Sequence, residues 1–534
     1  MRPRWSGRAE IDFRQDSNVT KKPGNLPIDR RVQPDKIKRT ETPVPQGNGL
    51  NQADGGGIMD NRPNLILLMA DQFRGDCLGI AGHPDVKTPY LDSLAADGVY
   101  FPNAYSACPT CVPARASLYT GMTHVHAGRV GYEDLAPWNY EHTLAGELAR
   151  AGYYTQCVGK MHVHPLRSRL GFHDVRLHDG YLHAYRRPDT PAYEDQRRAD
   201  DYYWWLKGEL GAAADPTDTG MDCNGWTARP WMLEEKYHPT NWAAAECLDF
   251  LRRRDRSAPF FLMASFVRPH PPLDPPAYYF DLYNSRELAP PWRGDWNWTQ
   301  RAQEAQHSYH AQTAPLDPEF IHQMRAGYYA SITHLDHQIG RLVSGLVEEG
   351  LMDNTVILFV SDHGEMLGDH LFFQKAKPYQ GSVRVPLFLS GPERLVGRGV
   401  RGDLAELRDV MPTLLELAGA PIPDTVDGVS LLHGVDRTWL HGEHALGQDS
   451  MHFIVTRRDK FVWYSQTGLE LYFDLERDPR ETRNAIADPD CAQRAAELRG
   501  LLIQELAGRE EGYSDGERLI VGCTPKTVLD CVSK

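Results

Sequence analysis

Two apolar runs that each end on a carboxylate constrain the fold of this chain more than any other feature. Asn64-Leu65-Ile66-Leu67-Leu68-Met69-Ala70 runs into Asp71, and Thr355-Val356-Ile357-Leu358-Phe359-Val360 runs into Ser361-Asp362-His363-Gly364. Runs of this length without polar alternation read as strands buried on both faces. Phe260 to Phe266, leading to Arg268-Pro269-His270, is a third such strand, and Val385 to Leu389 is a fourth. Helical patterns lie between them. Thr88 to Asp97 puts Leu91, Leu94 and Ala95 on one face, and Leu144 to Ala151, Tyr328 to Glu349 and Leu404 to Ala418 follow. Buried strands alternating with amphipathic helices predict an α/β fold built on a large, mostly parallel sheet flanked by helices. Ligands of such sheets gather beyond the carboxyl ends of the strands, so the polar residues closing these strands are expected to meet in space.

The texture changes after about residue 435. Met451 to Thr456, Phe461 to Ser465 and Leu469 to Asp474 are short and β-rich, and a helical stretch runs from Cys491 to Ala507. A smaller antiparallel sheet plus a helix is expected there. Residues 1–58 are polar, rich in Pro, Gly and charge, and lack the apolar core of a secretory signal. The chain therefore divides into a disordered N-terminal tail (1–58), a main domain (59–435) and a small C-terminal α+β subdomain (436–534). Asp179 to Asn241 is rich in Trp, Tyr, Asp and Arg without clear periodicity, and reads as an insertion that either walls the site or forms a surface excursion. Trp204, Trp205, Trp226 and Trp231 in it are candidates for stacking on a substrate or for packing on the domain.

A formal net charge of −14 argues against nucleic acid as a partner. No apolar run is long enough to cross a membrane. Nine scattered cysteines make a poor disulfide framework and fit a reducing compartment, so a cytoplasmic location is expected. Cys108 and Cys111 have the spacing of a redox or zinc pair, but no second pair accompanies them.

Asp71-Gln72 and Asp362-His363 each follow a buried strand directly. Burying a carboxylate is unfavourable without a partner, and two at adjacent strand ends are most simply explained by a shared cation. Oxygen ligands with one imidazole suit Ca²⁺ first, with Mg²⁺ or Mn²⁺ as the other choices. The competing reading is that each aspartate caps the turn after its strand.

Cys111-Val112-Pro113-Ala114-Arg115, followed by Thr120-Gly121, reads as a short helix with Pro113 at its first position and Gly121 at its stop. Its N-terminus offers free N–H groups to an anion, and Arg115 adds a cation one turn in. This Cys-x-Pro-x-Arg pattern resembles the sulfatase signature. Thr88-Pro89-Tyr90-Leu91-Asp92, Gly159-Lys160-Met161-His162, Ser361 to Glu365, Lys375 followed by Tyr379, Arg384-Val385-Pro386-Leu387 and Leu471 to Leu475 with Asp478-Pro479 continue the resemblance in order over most of the chain.

The resemblance implies an alkaline-phosphatase-like fold and a sulfuric ester hydrolase. It also implies a formylglycine made from Cys111 by a formylglycine-generating enzyme, and one divalent metal held by Asp71, Gln72, Cys111, Asp362 and His363. Arg115 and Lys160 would hold the hydrated aldehyde, and Lys375, preferred over Lys377, would grip the sulfate. His270 would protonate the leaving alcohol, and His162 would take the proton that lets sulfate depart. His124, His126 and His164 are further candidates for substrate contact. Many sulfatases carry two aspartates after the first strand and Asp-Asn after the later one, whereas Gln72 and His363 stand here. Those residues also occur in related phosphonate monoester and phosphodiester hydrolases, the first alternative. The second alternative is a non-catalytic binder of sulfated ligands with Cys111 unmodified. The choice of sulfate ester and the oligomeric state are not legible.

Overall fold

The computed structural model describes residues 62–180, 199–217, 219–296 and 317–532. The expected tail over residues 1–58 lies outside them. In chain order the strands are β1 (Asn64–Asp71), β2 (Gly98–Tyr100), β3 (Ala104–Tyr105), β4 (Tyr154–Gly159), β5 (Asp174–Leu177), β6 (Phe260–Pro269) and β7 (Thr355–Ser361). They continue with β8 (Leu387–Ser390), β9 (Gly399–Val400), β10 (Ala405–Glu406), β11 (Leu440–His444), β12 (Met451–Val455), β13 (Asp459–Tyr464) and β14 (Glu470–Asp474).

Eight strands form one sheet in the order β5-β4-β6-β1-β7-β8-β2-β9. From β5 to β7 every pairing is parallel, with β1 at the centre between β6 and β7. β8 runs antiparallel to β7 and to β2, so the fourth apolar run joins the sheet in the reverse direction. Alternate residues of β1 serve two separate cores. Ile66, Leu68 and Ala70 share a core with α1 (Pro89–Ala96) and the long helices Pro239–Arg253 and Pro318–Glu348. Leu65, Leu67 and Met69 pack under α2 (Cys111–Thr120), α3 (Leu144–Arg150) and the helix Val410–Leu417. Burial on both faces explains why the run lacks polar alternation. Truncating Leu67 or Leu68 to alanine would cost about 2–5 kcal/mol.

The pattern from Leu404 to Ala418 does not form one helix. Ala405–Glu406 pairs with β3 instead, and the helix proper starts only at Val410. The reason is local: the Asp409 carboxylate accepts the backbone N–H of Glu406 in a capping box, which fixes a turn before the helix.

The C-terminal strands make the expected antiparallel sheet, β11-β12-β13-β14, with β11 an additional strand at its edge. Ile454, Phe461 and Trp463 on one face meet Leu498 and Leu502 of the helix Ala492–Glu505. Phe453, Val455 and Val462 on the other face meet Met366 and Tyr379. Among the described residues no helix is long and apolar enough to cross a membrane.

Candidate active site

Four adjacent parallel strands, β4, β6, β1 and β7, deliver Lys160, His270, Asp71 and Asp362 to the same edge of the sheet. Helix α2 brings Cys111 and Arg115 to them. Thr110 is the extended cap residue, and Cys111 is the first helical residue. The helix thus begins two residues before the position expected from Pro113. Pro113 is accommodated because the N–H groups of the first turn have no partner within the helix. Gly121 ends the helix with φ of 70°, a left-handed conformation that glycine adopts without strain.

Arg115 is fully buried and spends its guanidinium on the site's frame. Nε donates to Asp362 Oδ2 (3.1 Å), Nη2 to Asp71 Oδ2 (3.3 Å), and Nη1 to the Lys160 carbonyl (2.8 Å) and Ser265 Oγ (3.1 Å). Lys160 Nζ lies 2.5 Å from Asp71 Oδ2 and 3.9 Å from Cys111 Sγ. Burial would raise the Asp71 pKa, but the Lys160 and Arg115 cations outweigh it and hold the carboxyl well below its usual range. Asp71 in turn lifts the Lys160 ammonium above its ordinary value against the effect of burial. Both side chains therefore stay charged at neutral pH.

Asp71, Cys111, Asp362 and His363 each present one ligand atom, all within 4.8 Å of one another. The tautomer of His363 tests whether a cation fits. Its Nδ1 lies 2.9 Å from the Gly364 carbonyl, which can only accept, so the proton is on Nδ1 and Nε2 is bare. That bare nitrogen faces Asp71 Oδ1 and Asp362 Oδ1, each at 3.8 Å, and Cys111 Sγ at 3.2 Å. Burial lowers the His363 pKa, so the ring stays neutral. A lone pair aimed at two carboxylate oxygens, with only a weak S–H donor beside it, is repulsive alone and well matched to a hard cation.

Gln72 has a left-handed backbone (φ 65°) at the end of β1. Its backbone N–H donates to Asp362 Oδ1 (3.0 Å), its side-chain amide donates to Glu365, and its Oε1 accepts from Lys375 Nζ at 2.7 Å. It links the carboxylate cluster to Lys375. Lys375 also donates to Asn224 Oδ1 (3.2 Å) and to His270 Nε2 (2.8 Å). His270 Nδ1 bonds the Pro271 carbonyl at 2.8 Å, so Nε2 carries no proton here. Burial and the Lys375 charge keep the His270 pKa well below its ordinary value.

His162 Nε2 bonds Asp134 Oδ1 at 3.1 Å, so in the neutral ring Nδ1 is bare; among the described residues Nδ1 makes no hydrogen bond. Burial and Lys160 press its pKa down, contacts with Asp134 and Cys111 lift it, and the balance lies above the ordinary value. Asp179 Oδ1 fixes the backbone here by accepting from the N–H groups of Met161 and His162.

Other sequence candidates lie elsewhere. Lys377 stands 3.8 Å from Asp449, against the C-terminal sheet. His126 pairs with Asp427 and His124 with Glu443, neither of them a residue of this cluster. No contact joins His164 to the cluster in the described residues; its carbonyl accepts from Trp138. Trp231 is buried with its indole N–H on the Glu234 carbonyl, Trp205 packs on Tyr202 and Tyr237, and Trp204 is exposed. Trp226 stacks on Phe373 at 5.8 Å, next to Gln374 and Lys375. Asn224 was not among the sequence candidates, because a lone Asn in an aperiodic segment carries no signal. It brings part of the Asp179–Asn241 insertion onto the site.

The model of the sulfatase family matches residues 63–420, and that of the N-sulphoglucosamine sulphohydrolase C-terminal region matches residues 368–507. An arylsulfatase of Clostridium perfringens is 49% identical over 477 residues, covering 88% of this chain and 99% of that protein. A choline-sulfatase of Rhizobium meliloti is 31% identical over 449 residues, covering 80% and 83% respectively. The crystal structure of a phosphonate monoester hydrolase of Agrobacterium radiobacter superposes with a TM-score of 0.68 at 27% identity, over 83% of this chain and 95% of that one.

Proposed function

Because the chain belongs to the sulfatase family and is a sulfuric ester hydrolase, we propose that it cleaves an aryl sulfate to a phenol and inorganic sulfate, using a formylglycine made from Cys111 and a bound Ca²⁺. The observation that carries this reading is the convergence of Lys160, Arg115 and two carboxylates on Cys111, 3.9 Å from the Lys160 ammonium. The arylsulfatase identity of the Clostridium perfringens relative supports an aryl substrate.

Asp71, Asp362 and His363 would hold the Ca²⁺, which when bound supplies Lewis acidity to the nucleophile; Gln72, the other expected ligand, here gives its Oε1 to Lys375. A formylglycine at position 111, once hydrated, would supply two hydroxyls to the site, one as the nucleophile and one for a base to deprotonate when sulfate leaves. The remaining work falls to side chains already in position. Arg115 and Lys160 set the charge around Cys111: two cations against Asp71 and Asp362 leave the frame neutral, so a metal and an anionic ester can enter together. Lys375, joined to the cluster through Gln72, would bind a sulfate oxygen, where negative charge is spread in the transition state. The proton needed by the leaving phenolate resides on the Lys375–His270 pair, in which the ammonium donates to a bare imidazole nitrogen. His162, oriented by Asp134, presents bare Nδ1 as the base for the second step.

The same groups would serve a phosphonate ester, and the Agrobacterium radiobacter structure favours that as the second reading. Two measurements test the proposal. Mass spectrometry of the tryptic peptide Thr88–Arg115, from protein made beside a formylglycine-generating enzyme, should find an aldehyde at Cys111; an intact thiol there removes the nucleophile. Rates on 4-nitrophenyl sulfate and a 4-nitrophenyl phosphonate should favour the sulfate, and a large preference for the phosphonate would transfer the assignment to the second reading.

A further inference from the structure

A second group of potential ligands lies outside the site just described. His124, His441 and Glu443, all buried, each present one ligand atom within 4.8 Å of the others. His124 Nε2 is 3.1 Å from Glu443 Oε1, His452 Nδ1 is 3.5 Å from Glu443 Oε2, and His441 Nε2 is 3.4 Å from His452 Nδ1. Tetrahedral ligands at about 2.1 Å from an ion stand roughly 3.4 Å apart; the His124–Glu443 separation is close to this, and a ligand atom of His441 lies within 4.8 Å of both.

Hydrogen bonding accounts for only part of the cluster. The Nδ1 atoms of His124 and His441 are both buried and, among the described residues, make no hydrogen bond. Whichever tautomer His124 adopts, one of its nitrogens is left without a partner. Charge points the same way. Glu443 and Glu511 share the single guanidinium of Arg509, and Glu505 stands 3.7 Å from His441 Nδ1. A cavity of about 350 Å³, lined by His124, His441, Glu505 and Asp436 and also by Arg408 and Arg437, opens beside the imidazoles and has room for a water ligand. Arg509 bonds both oxygens of Glu443 yet leaves each a second lone pair, an orienting role that outer partners of metal-binding carboxylates commonly fill.

We propose that His124, His441 and Glu443 bind a structural Zn²⁺, distinct from the metal of the active site. Imidazole nitrogen with one carboxylate favours zinc over Ca²⁺. Its position suggests what the ion does. His124 lies just beyond the end of α2, whose first residue is Cys111, while β11 carries His441, Glu443 and also His444, which bonds Thr110 ahead of α2 at 3.0 Å. The ion would fasten the far end of α2 to the strand that already holds its near end.

The test uses the full chain, stripped of metal, saturated with Ca²⁺ and then titrated with Co²⁺. One equivalent of Co²⁺ should bind with the intense visible absorption of a tetrahedral nitrogen–oxygen site, and Zn²⁺ should displace it. Saturating Zn²⁺ should raise Tm. His441→Gln and His124→Gln should each weaken the Co²⁺ band at least tenfold at equal metal concentration. If the wild-type chain gives no tetrahedral band, or the band persists unchanged in both variants, the proposal fails. The wild-type titration decides even if a variant does not fold.

Discussion

Lys375 donates a 2.8 Å hydrogen bond to His270 Nε2, while His270 Nδ1 is tied to the Pro271 carbonyl. The resting imidazole is thus an acceptor, and the lysine carries the proton between them. His270→Asn should therefore lower kcat by about 10²–10⁴, with the deficit growing as the leaving group becomes more basic. A series of aryl sulfates of differing phenol pKa measures this as a steeper dependence of log kcat on leaving-group pKa. A uniform loss across the series would make His270 a binding residue only.

Lys375→Arg keeps the positive charge but replaces an ammonium that can release its proton with a guanidinium that does not. The variant should retain substrate affinity within a few-fold and lose kcat at least as severely as His270→Asn. Steady-state kinetics separating kcat from KM checks this; near-wild-type turnover would move the proton source elsewhere.

Asn224 reaches the site from the aperiodic Asp179–Asn241 segment, its Oδ1 3.2 Å from Lys375 Nζ. Asn224→Asp introduces a carboxylate that competes with the anionic substrate for that ammonium. KM for aryl sulfate should rise about tenfold or more, as expected when about 1.4 kcal/mol of interaction is lost. Asn224→Ser should change KM far less, and equal effects of the two would point to packing rather than charge.

Arg115 joins Asp71 to Asp362 with all three side chains wholly buried. Arg115→Met leaves two buried carboxylates facing each other without the guanidinium, a loss of about 3–5 kcal/mol. Its Tm should fall sharply, and excess Ca²⁺ should recover part of it by taking over the charge compensation. If Ca²⁺ leaves the Tm of this variant unchanged, Asp71 and Asp362 are not metal ligands.

His83 Nδ1 accepts the backbone N–H groups of Asp85 and Val86, both at 3.1 Å, and protonation there would break both bonds. Burial lowers its pKa from 6.5 to about 4. The unfolded chain takes up this proton near pH 6.5 and the folded chain resists until about pH 4. The contribution is therefore complete above the unfolded value and is lost as pH falls through that window. At pH 5 the loss is about 1–2 kcal/mol, allowing for the partial exposure of the ring. Urea unfolding at pH 7.5 and pH 5.0 should show a smaller acid drop in His83→Asn, whose amide oxygen accepts the same N–H groups without titrating. An equal drop in both proteins would assign the acid sensitivity to other groups.

Residues that end buried strands were legible in the sequence because their signal is physical: an apolar run cannot close on a carboxylate without a compensating partner. Asp71 and Asp362 carried that signal plainly. β4 did not, since Thr155 and Gln156 break its apolar run, and Lys160 at its end was found only through the Gly159-Lys160-Met161-His162 pattern. Periodicity misread Leu404 to Ala418 because a helical face persists through a capping box that redirects the backbone at Asp409. The start of α2 was misplaced for a similar reason: Pro113 tolerates any position in the first turn, so it could not mark the first residue. Asn224, Asp134 and the tautomer of His363 depend on contacts between segments far apart in the chain, and no local pattern encodes them.

The order β4-β6-β1-β7 has a consequence for how such a protein can change over time. Asp71, Lys160, His270 and Asp362 are anchored to neighbouring strands whose spacing is set by backbone hydrogen bonds, so none can drift without disturbing the sheet. Asn224 and Trp226 stand on connecting segments that carry no such restraint. Replacing those segments alters which ester is received while leaving the reacting groups in register. New substrate ranges are thus open to this scaffold through loop exchange alone, with the chemistry inherited intact.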